Sequence, residues 1–234
     1  MKRKQLLSIN SDAKTIKGLK QGFLTGILYL APSTISGYQV CPMAKLAGCE
    51  KACLYTAGRG AFNSIQNARI AKTKRFFDDK DNFMLDIIYS INSLIRKAKK
   101  QNLIPLVRLN GTSDIKWENV IYNNQNIFEL FPDIQFYDYT KIPNRKKIPS
   151  NYDLTFSYSG VKTFQKYNIQ ALKDNKRIAV VFDKVENIPI TFYNKKVISG
   201  DNSDIRHLDA KNSIIALYAK GKAKKDLSGF VVRK

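Results

Sequence analysis

Phe23-Leu-Thr-Gly-Ile-Leu-Tyr-Leu-Ala-Pro32 is the longest apolar stretch of this 234-residue chain. It has about half the length that a helix needs to span a bilayer, and it predicts a buried strand over residues 23–31. A long loop of about residues 32–60 follows, before the next helical pattern begins at Asn63. This strand and its loop begin the pattern that predicts the fold.

Strand-like and helix-like segments alternate along the rest of the chain. Helical spacing of apolar residues occurs at 63–77, 83–100, 117–131 and 163–174. Short apolar segments predict strands at 104–110, 134–139, 152–158, 177–182 and 213–219, with a further short strand at 196–199. The alternation predicts an α/β fold in a single domain over residues 1–234, with a mainly parallel sheet of six or seven strands. We expect a partial, open α/β barrel, and a doubly wound sheet is the alternative.

All three cysteines fall in one short window, Cys41-Pro-Met-Ala-Lys-Leu-Ala-Gly-Cys49-Glu-Lys-Ala-Cys53. Clustered thiols of this kind form a disulfide with a spare thiol, a zinc site or an iron–sulfur cluster. The odd number, with no apolar signal core after the basic N-terminus, indicates a reducing compartment and disfavours the disulfide. Structural zinc usually takes four protein ligands, and the only histidine, His207, lies far along the chain. The window therefore favours a 4Fe-4S cluster with one open iron, and zinc is the alternative.

The charge balance is strongly basic. Forty Lys and Arg residues against nineteen Asp and Glu residues give a net charge of +21. A field of this sign attracts phosphate polymers, and the affinity depends on salt because counterions are released. Lysine greatly outnumbers arginine, which suits contact with a phosphate backbone better than bidentate reading of bases. We expect a cytoplasmic protein that binds nucleic acid and no membrane; a general bias toward lysine is the alternative explanation of the charge.

Polar residues crowd where the predicted strands end. In parallel α/β folds, binding and chemistry gather at the carboxyl edge of the sheet. The residues that the sequence brings to this edge are Arg108, Asn110, Ser113, Asp114, Asp138, Lys141, Ser157 and Asp201. We expect them to form a polar floor beside the cysteine loop. An ordinary helix cap is the alternative use of Asp114, since a helix is predicted from Trp117.

Several of these segments resemble a phage-encoded family known as gene product 88. The likeness rests on motifs that run in order over roughly residues 41–141: Cys41-Pro, Cys49, Cys53-Leu-Tyr, Gly58-Arg59, Val107-Arg108, Ser113-Asp114 and Pro132-Asp-Ile-Gln-Phe-Tyr-Asp-Tyr-Thr-Lys141. The resemblance implies a phage or prophage origin and hence a location in the host cytoplasm. It implies no particular chemistry.

A looser likeness is to radical S-adenosylmethionine enzymes. Enzymes of that family have a partial α/β barrel. Three cysteines in the loop after their first strand bind a four-iron cluster. Here too the cysteines follow the first predicted strand, and Gly111-Thr-Ser-Asp114 follows the second, where that family has a short Gly-rich acidic motif. The spacing C-x7-C-x3-C departs from the usual C-x3-C-x2-C. This resemblance implies S-adenosylmethionine as a cofactor, chelated to the open iron.

The first functional hypothesis is therefore a radical S-adenosylmethionine-like enzyme that acts on nucleic acid or a nucleotide. Cys41, Cys49 and Cys53 would hold the cluster. The cofactor contacts would come from Arg108, Asn110, Ser113, Asp114 and Ser157, of which Asn110, Ser113 and Asp114 would orient its amino acid end. Substrate contacts would come from Asp138, Lys141 and Asp201.

Two alternatives belong to other classes of protein. In a magnesium-dependent nuclease or phosphotransfer enzyme, Asp114, Asp138, Asp201 and Asp204 would supply oxygen ligands, and the cysteines would form a structural zinc or iron site. A non-catalytic basic nucleic-acid-binding protein would use the cysteines only to hold its loop together. Metal content separates the first hypothesis from the others, because only a cluster requires about four irons per chain.

Overall fold

A computed structural model describes residues 3–9 and 13–233 of the chain. Its α-helices are α1 (Ala13–Leu19), α2 (Asn63–Asp78), α3 (Lys80–Lys100), α4 (Ile127–Leu130) and α5 (Gln165–Lys173). Its strands are β1 (Leu7–Ile9), β2 (Phe23–Leu28), β3 (Ile104–Arg108), β4 (Ile121–Tyr122), β5 (Gln125–Asn126), β6 (Gln135–Thr140), β7 (Tyr152–Ser157), β8 (Ile178–Phe182), β9 (Thr191–Phe192), β10 (Lys195–Ser199) and β11 (Ile214–Tyr218). The predicted alternation of strands and helices is confirmed in outline.

One mostly parallel sheet contains nine of these strands, in the order β1-β2-β3-β6-β7-β8-β11-β10-β9. From β2 to β8, each strand pairs in parallel with the next sheet strand along the chain. The edge strands β1 and β9 are antiparallel to their neighbours. The α/β class is confirmed, whereas the predicted count of six or seven strands is too low. The missed strands have three and two residues, which is too short for an alternating apolar pattern.

The helices that connect the parallel strands pack on the same face of the sheet. In register, Val107 lies beside Phe136, which lies beside Tyr152, and these side chains belong to one apolar cluster with α3 residues such as Met84 and Ile87. Phe156, on the same face of β7, packs with Phe164 and Ala171 around α5. Crossovers between parallel strands are right-handed, so strands added in one direction place their helices on one side. A doubly wound sheet would have covered both faces.

The opposite face of the sheet carries buried polar side chains. Arg108 on β3 donates from Nη1 to Asp204 Oδ2 at 2.6 Å, and Arg177 donates from Nε to the Asp209 carbonyl at 3.2 Å. The segment from Asp204 to Asp209 therefore covers this face, with Ile205 packed against Leu106 and Tyr137. The sheet is open, with β1 and β9 as its edges. Its closure toward a partial barrel is not shown.

The predicted helix over 117–131 is wrong. This region contains a 3-10 turn from Trp117 to Asn119, the β4–β5 hairpin and the single turn of α4. Asn123 and Asn124, between β4 and β5, have φ values of 48° and 64°. Two successive residues in the left-handed region form the hairpin turn that asparagine favours, and they interrupt any helix. Asn126 then caps α4 in a capping box with Glu129.

Gly111 allows the loop after β3 to pass close to β2. A Cβ atom there would lie 2.7 Å from Ile27 Cγ2, 2.7 Å from Tyr29 Cδ1 and 2.8 Å from the Leu28 carbonyl oxygen. We expect Gly111→Ala to lower the free energy of unfolding by about 1–3 kcal/mol, because a packed site resists an added methyl group. Urea denaturation measures the change.

Gly18→Ala is the matched control. A Cβ at Gly18, inside α1, meets nothing closer than Ile205 Cδ1 at 3.5 Å. Alanine in a helix is favoured over glycine by roughly 0.5–1 kcal/mol, so this variant should be neutral or slightly stabilised. Equal destabilisation of both variants would contradict the close approach at Gly111.

Candidate functional site

The three cysteines line a single cavity at the carboxyl edge of the parallel strands. The cavity has a volume of about 150 Å³. One wall is the segment between β2 and α2, and the other walls are the ends of β6 and β7 and the loop after β3. The lining residues are Pro32, Ser33, Ile35, Cys41, Met43, Ala44, Cys49, Glu50, Cys53, Thr112, Ser113, Asp114, Tyr139, Thr140, Lys141 and Ser157. Sequence-predicted residues that meet here are therefore the three cysteines, Ser113, Asp114, Lys141 and Ser157.

The cysteine loop is tied to the strand ends by hydrogen bonds from distant parts of the chain. The Asp114 backbone N–H donates to the Val40 carbonyl at 2.7 Å, and Cys41 Sγ lies 3.7 Å from the Thr112 carbonyl oxygen to which it donates. Farther along the loop, Ser159 Oγ donates to the Ala47 carbonyl at 2.7 Å. The loops after β3 and β7 therefore fix the cysteine loop on two sides.

Burial suppresses the ionisation of all three thiols. It raises the pKa of Cys41 to about 12 and that of Cys53 to about 11, and it also raises the pKa of Cys49. Backbone N–H groups oppose the shifts of Cys41 and Cys53, whereas the neighbouring thiols add to them. At Cys49 the main opposing group is the Lys141 ammonium. Near neutral pH the cavity thus holds three protonated thiols beside one amine.

Lys141 is the cationic side chain of the described cavity wall. Its Nζ donates to Ser157 Oγ at 3.0 Å, to the Ser157 carbonyl at 3.2 Å and to the Tyr158 carbonyl at 3.3 Å. It also lies 4.7 Å from the centre of the Phe230 ring. Burial lowers the Lys141 pKa, and the negative forms of Cys49 and Asp114 oppose that shift. An added negative charge in the cavity would stabilise this ammonium.

Asp114 joins the loop after β3 to the end of β6. Its Oδ2 accepts the Lys141 backbone N–H at 2.8 Å, and its Oδ1 lies 3.8 Å from Arg145 Nη1. Burial raises its pKa. The 3-10 turn at Trp117 has no side-chain cap, so Asp114 does not have the capping role that was the alternative. Its Oδ1 is buried without a hydrogen-bond partner.

Asn110 shapes the turn that carries Ser113 and Asp114. Its Oδ1 accepts from Ser113 Oγ at 2.8 Å, from the Ile115 N–H at 2.9 Å and from Trp117 Nε1 at 3.2 Å. The Asn110 amide nitrogen donates to the Ile115 carbonyl. These bonds occupy the side chain inside the turn, and Asn110 does not line the cavity.

Asp138 and Arg108 lie beneath the cavity in the interior. The fully buried Asp138 carboxylate accepts the Leu109 N–H at 3.1 Å, the Asn110 N–H at 3.0 Å and the Tyr152 hydroxyl at 3.1 Å. Arg108 binds Asp204, and its Nε lies 3.8 Å from Asp138 Oδ1. Neither side chain lines the cavity. Asp138 holds the backbone at the start of the turn after β3, and Arg108 pairs with Asp204 and lies beside Asp138.

Asp201 lies apart from this site. Its Oδ1 pairs with Lys220 Nζ at 3.3 Å, and its carbonyl accepts from Lys17 Nζ at 2.7 Å. The four aspartates that a magnesium site would need thus lie in different places. Asp114 lines the cavity, Asp138 accepts from the backbone after β3, Asp204 pairs with Arg108, and Asp201 pairs with Lys220. They do not converge on one point.

Five polar residues of the cavity wall were not among the predicted site residues: Ser33, Glu50, Thr112, Tyr139 and Thr140. Glu50 Oε1 accepts from Ser33 Oγ at 2.6 Å. Its place between Cys49 and Cys53 was a usable signal for it. Ser33 had no such signal, because only the return of the loop brings it to the cavity.

Within the described part of the chain, no group of three or more His, Cys, Asp or Glu side chains is arranged to hold a metal ion. A single zinc ion needs all its ligands at about 2.0–2.3 Å from one point. An iron–sulfur cluster instead binds each thiolate to a separate iron, over a wider span. The three thiols on one cavity wall are therefore chemically suitable ligands for an iron–sulfur cluster.

The chain belongs to the Gene product 88 family, whose family model matches residues 4–234. The match confirms the resemblance seen over residues 41–141, extends it to the last third of the chain, and supports a phage origin. No curated protein and no solved structure matches the chain. The likeness to radical S-adenosylmethionine enzymes gains no support from these comparisons. Over residues 3–9 and 13–233, no helix has the length and apolar character needed to cross a bilayer.

The raised thiol pKa values predict slow alkylation of the folded protein. Because the thiolate is the nucleophile, iodoacetamide at about pH 8 should modify Cys41 and Cys53 more than about tenfold more slowly in the folded protein than in urea. Mass spectrometry of the peptides measures both rates. Equal rates in the two states would contradict the burial of these thiols.

The Asp138 carboxyl predicts a specific pH dependence of stability. Burial raises its pKa to about 6, against the opposing Arg108 charge and hydrogen bonds. Between about pH 4 and 6 the folded protein retains a proton that the unfolded chain has released, so stability from this group is lost as the pH rises through 6. Urea denaturation of the protein and of Asp138→Asn at several pH values tests this. Asp138→Asn should be less stable than the parent protein at every pH, and it should lose less stability between about pH 4 and 6. Parallel curves of stability against pH for the two proteins would refute the raised pKa of Asp138.

Proposed function

We propose that this protein is an iron–sulfur protein whose cluster is held by Cys41, Cys49 and Cys53. The observation that carries the proposal is that all three cysteines of the chain are half-buried and line one cavity at the carboxyl edge of the sheet. Thiolates are the ligands that iron–sulfur clusters take, and soft sulfur ligands select such metals over oxygen-preferring ions. The bound cluster would supply electron-transfer or Lewis-acid chemistry at this edge.

The electrostatics of the cavity support a cluster over an empty thiol pocket. Three thiolates cannot form together in this buried space without compensation, as their raised pKa values indicate. Iron supplies positive charge at the sulfurs themselves, and the Lys141 ammonium supplies more beside Cys49. Metal binding would therefore release thiol protons and become tighter as the pH rises.

The size of the cavity also favours a compact group. Its volume of about 150 Å³ is below the roughly 300–1,000 Å³ of pockets that take whole organic ligands. Of the carboxylates near the thiols, Glu50 accepts from Ser33 and Asp114 accepts the Lys141 N–H through Oδ2, whereas Asp114 Oδ1 has no hydrogen-bond partner. A cluster on three cysteines would thus keep one iron without a protein thiolate.

A more specific form of the proposal is that the protein is an enzyme that uses S-adenosylmethionine. What favours it is the order of the elements: the cysteines follow the first parallel strand, and the Gly111–Asp114 turn follows the second. The residues fit that cofactor only in part, because Ser113, Asp114 and Ser157 line the cavity whereas Arg108 and Asn110 are committed to other partners.

Nucleic acid is the partner that the charge supports. A net charge of +21 on 234 residues favours a polyanion, with an affinity that falls as salt rises. The magnesium-dependent alternative has weaker support, since its four aspartates do not converge. A non-catalytic binding protein remains the competing proposal, and the metal content of the cavity separates it from an iron–sulfur protein.

Anaerobic iron–sulfide reconstitution tests the proposal. We expect about four irons and four sulfides per chain with broad absorbance near 400 nm. Cys41→Ser should lose most of this iron, because the cluster loses one of its three ligands. Glu50→Gln is the matched control: it changes a cavity carboxyl between two of the cysteines and should retain the cluster.

Two results would overturn the proposal. One zinc per chain in place of iron, under the same anaerobic conditions, would identify a structural metal site. Iron that persists in Cys41→Ser would be adventitious. If the protein uses S-adenosylmethionine, reduction of the reconstituted protein in the presence of that cofactor should cleave it. Intact S-adenosylmethionine beside an intact reduced cluster would exclude its use.

A further inference from the structure

A second recess lies next to the cysteine cavity and has no part in the site described so far. It has a volume of about 490 Å³ and is lined by Tyr158, Gly160, Phe192, Tyr193, Gly229, Val231, Val232 and Arg233. This volume is within the range of pockets that hold organic ligands. We call it the aromatic recess.

Three aromatic rings form one wall of the aromatic recess. Tyr158 and Phe192 meet edge to face with centres 5.4 Å apart, and Phe192 and Tyr193 do so at 4.8 Å. The hydroxyls of Tyr158 and Tyr193 lie 3.4 Å apart. Phe192 packs further on Phe182 of the sheet, so the wall rests on a rigid element. Half of Tyr193 remains exposed to solvent.

The backbone holds Tyr193 in a conformation that its side chain does not favour. Tyr193 and Asn194 form the two-residue turn between β9 and β10, with φ values of 51° and 57°. Hairpin turns with two positive φ values prefer asparagine and glycine, and a bulky residue there is unusual. Such strain often accompanies function. Here its effect is to put an aromatic ring at the mouth of the recess.

Two glycines of the recess lining allow two chain segments to approach each other closely. A Cβ at Gly160 would lie 2.5 Å from the Gly229 carbonyl oxygen, so only glycine allows these two segments to touch. Tyr158, which lines the recess, accepts at its carbonyl from Lys141, which lines the cavity. The recess and the cavity are therefore adjacent at the end of β7.

Positive charge borders the aromatic recess. Arg233 is held there by donation from Nε to the Asp226 carbonyl and from Nη2 to the Lys224 carbonyl, each at 3.0 Å, with Asp183 Oδ2 3.9 Å from Nη1. The adjacent 3-10 turn, Gly221–Lys225, carries the exposed side chains of Lys222, Lys224 and Lys225. We call it the lysine turn.

The lysine turn also contacts the cysteine loop. The Lys222 backbone N–H donates to Thr56 Oγ1 at 3.2 Å, three residues after Cys53. The turn therefore connects the aromatic recess, through Arg233, with the loop that carries the thiols.

We propose that the aromatic recess binds an unpaired base of single-stranded nucleic acid, with the adjoining phosphates on the lysine turn. Stacking on aromatic rings is how proteins hold unpaired bases without reading their sequence, and a basic track beside the rings follows the backbone. The charge complementarity distinguishes this occupant from an apolar peptide, which would gain nothing from the lysines. The proposal deepens the nucleic-acid part of the proposed function and does not require the cluster.

Fluorescence anisotropy with a short labelled oligothymidylate at fixed salt tests the proposal. Removal of one stacking ring costs about 1–3 kcal/mol, so Tyr193→Ala should weaken binding by roughly 5-fold to 150-fold. Tyr193→Phe keeps the ring and should bind as the parent protein does. Tyr89→Ala is the matched control, because Tyr89 is similarly exposed but lies on α3.

An abasic oligomer of the same length separates base stacking from phosphate contact. The parent protein should prefer the oligomer that has bases, and Tyr193→Ala should lose this preference. Equal affinity of Tyr193→Ala and Tyr89→Ala, or equal loss in Tyr193→Phe, would overturn the proposal. Thymidine monophosphate that competes as strongly as the oligomer would also overturn it, in favour of a free nucleotide.

The same titration on Cys41→Ser keeps the two proposals distinguishable. Base binding at the aromatic recess needs no thiol, so this variant should bind the oligomer as the parent protein does even when no cluster forms. Thermal unfolding of each variant verifies that it is folded at the assay temperature. A folded Cys41→Ser protein that has lost oligomer binding would show that binding depends on the cavity and would overturn the assignment to the recess.

Discussion

The buried Asp138 carboxylate is the interaction on which the candidate site depends. It accepts the N–H groups of Leu109 and Asn110, and so fixes the point at which the chain leaves β3. Asn110 then organises the following turn, and this turn offers the Thr112 carbonyl to Cys41 and the Asp114 N–H to Val40. A chain of hydrogen bonds thus runs from the interior of the sheet to the cysteine loop. Because both backbone donors would otherwise be buried without partners, the carboxylate has a structural reason to be there.

The charges in the resulting cavity are not compensated by the protein alone. Three half-buried protonated thiols give the buried Lys141 side chain no negative partner, and deprotonation of the thiols is opposed by burial and by their mutual repulsion. A group with positive charge at the sulfurs and net negative charge toward Lys141 would remove both penalties. An iron–sulfur cluster on thiolates has this distribution of charge. The aromatic recess adjoins this cavity, since Lys141 of the cavity donates to the carbonyl of Tyr158 in the recess.

The sequence predicted the parts of the fold that depend on local patterns. Long apolar strands and the apolar stripe of α3 were found because burial of one face repeats at a fixed period. The helix at 117–131 was mispredicted because Asn123 and Asn124 adopt left-handed conformations that override the apolar spacing. In the site, the clustered cysteines and the strand-end position of Lys141 were sufficient signals. Asp138 and Asp201 have partners from other segments, Leu109 and Asn110 for the first and Lys220 for the second, and no local pattern reveals such partners. The expected contact of these two carboxylates with substrate stays a prediction.

The central claim is that the three thiols share one iron–sulfur cluster. Anomalous X-ray diffraction at the iron edge, from crystals grown anaerobically after reconstitution, tests it most directly. We expect one compact group of iron atoms in the cavity, bonded to Cys41, Cys49 and Cys53, with Lys141 beside it. Iron found elsewhere, a single ion at the zinc edge, or a disulfide between two of the cysteines would contradict it.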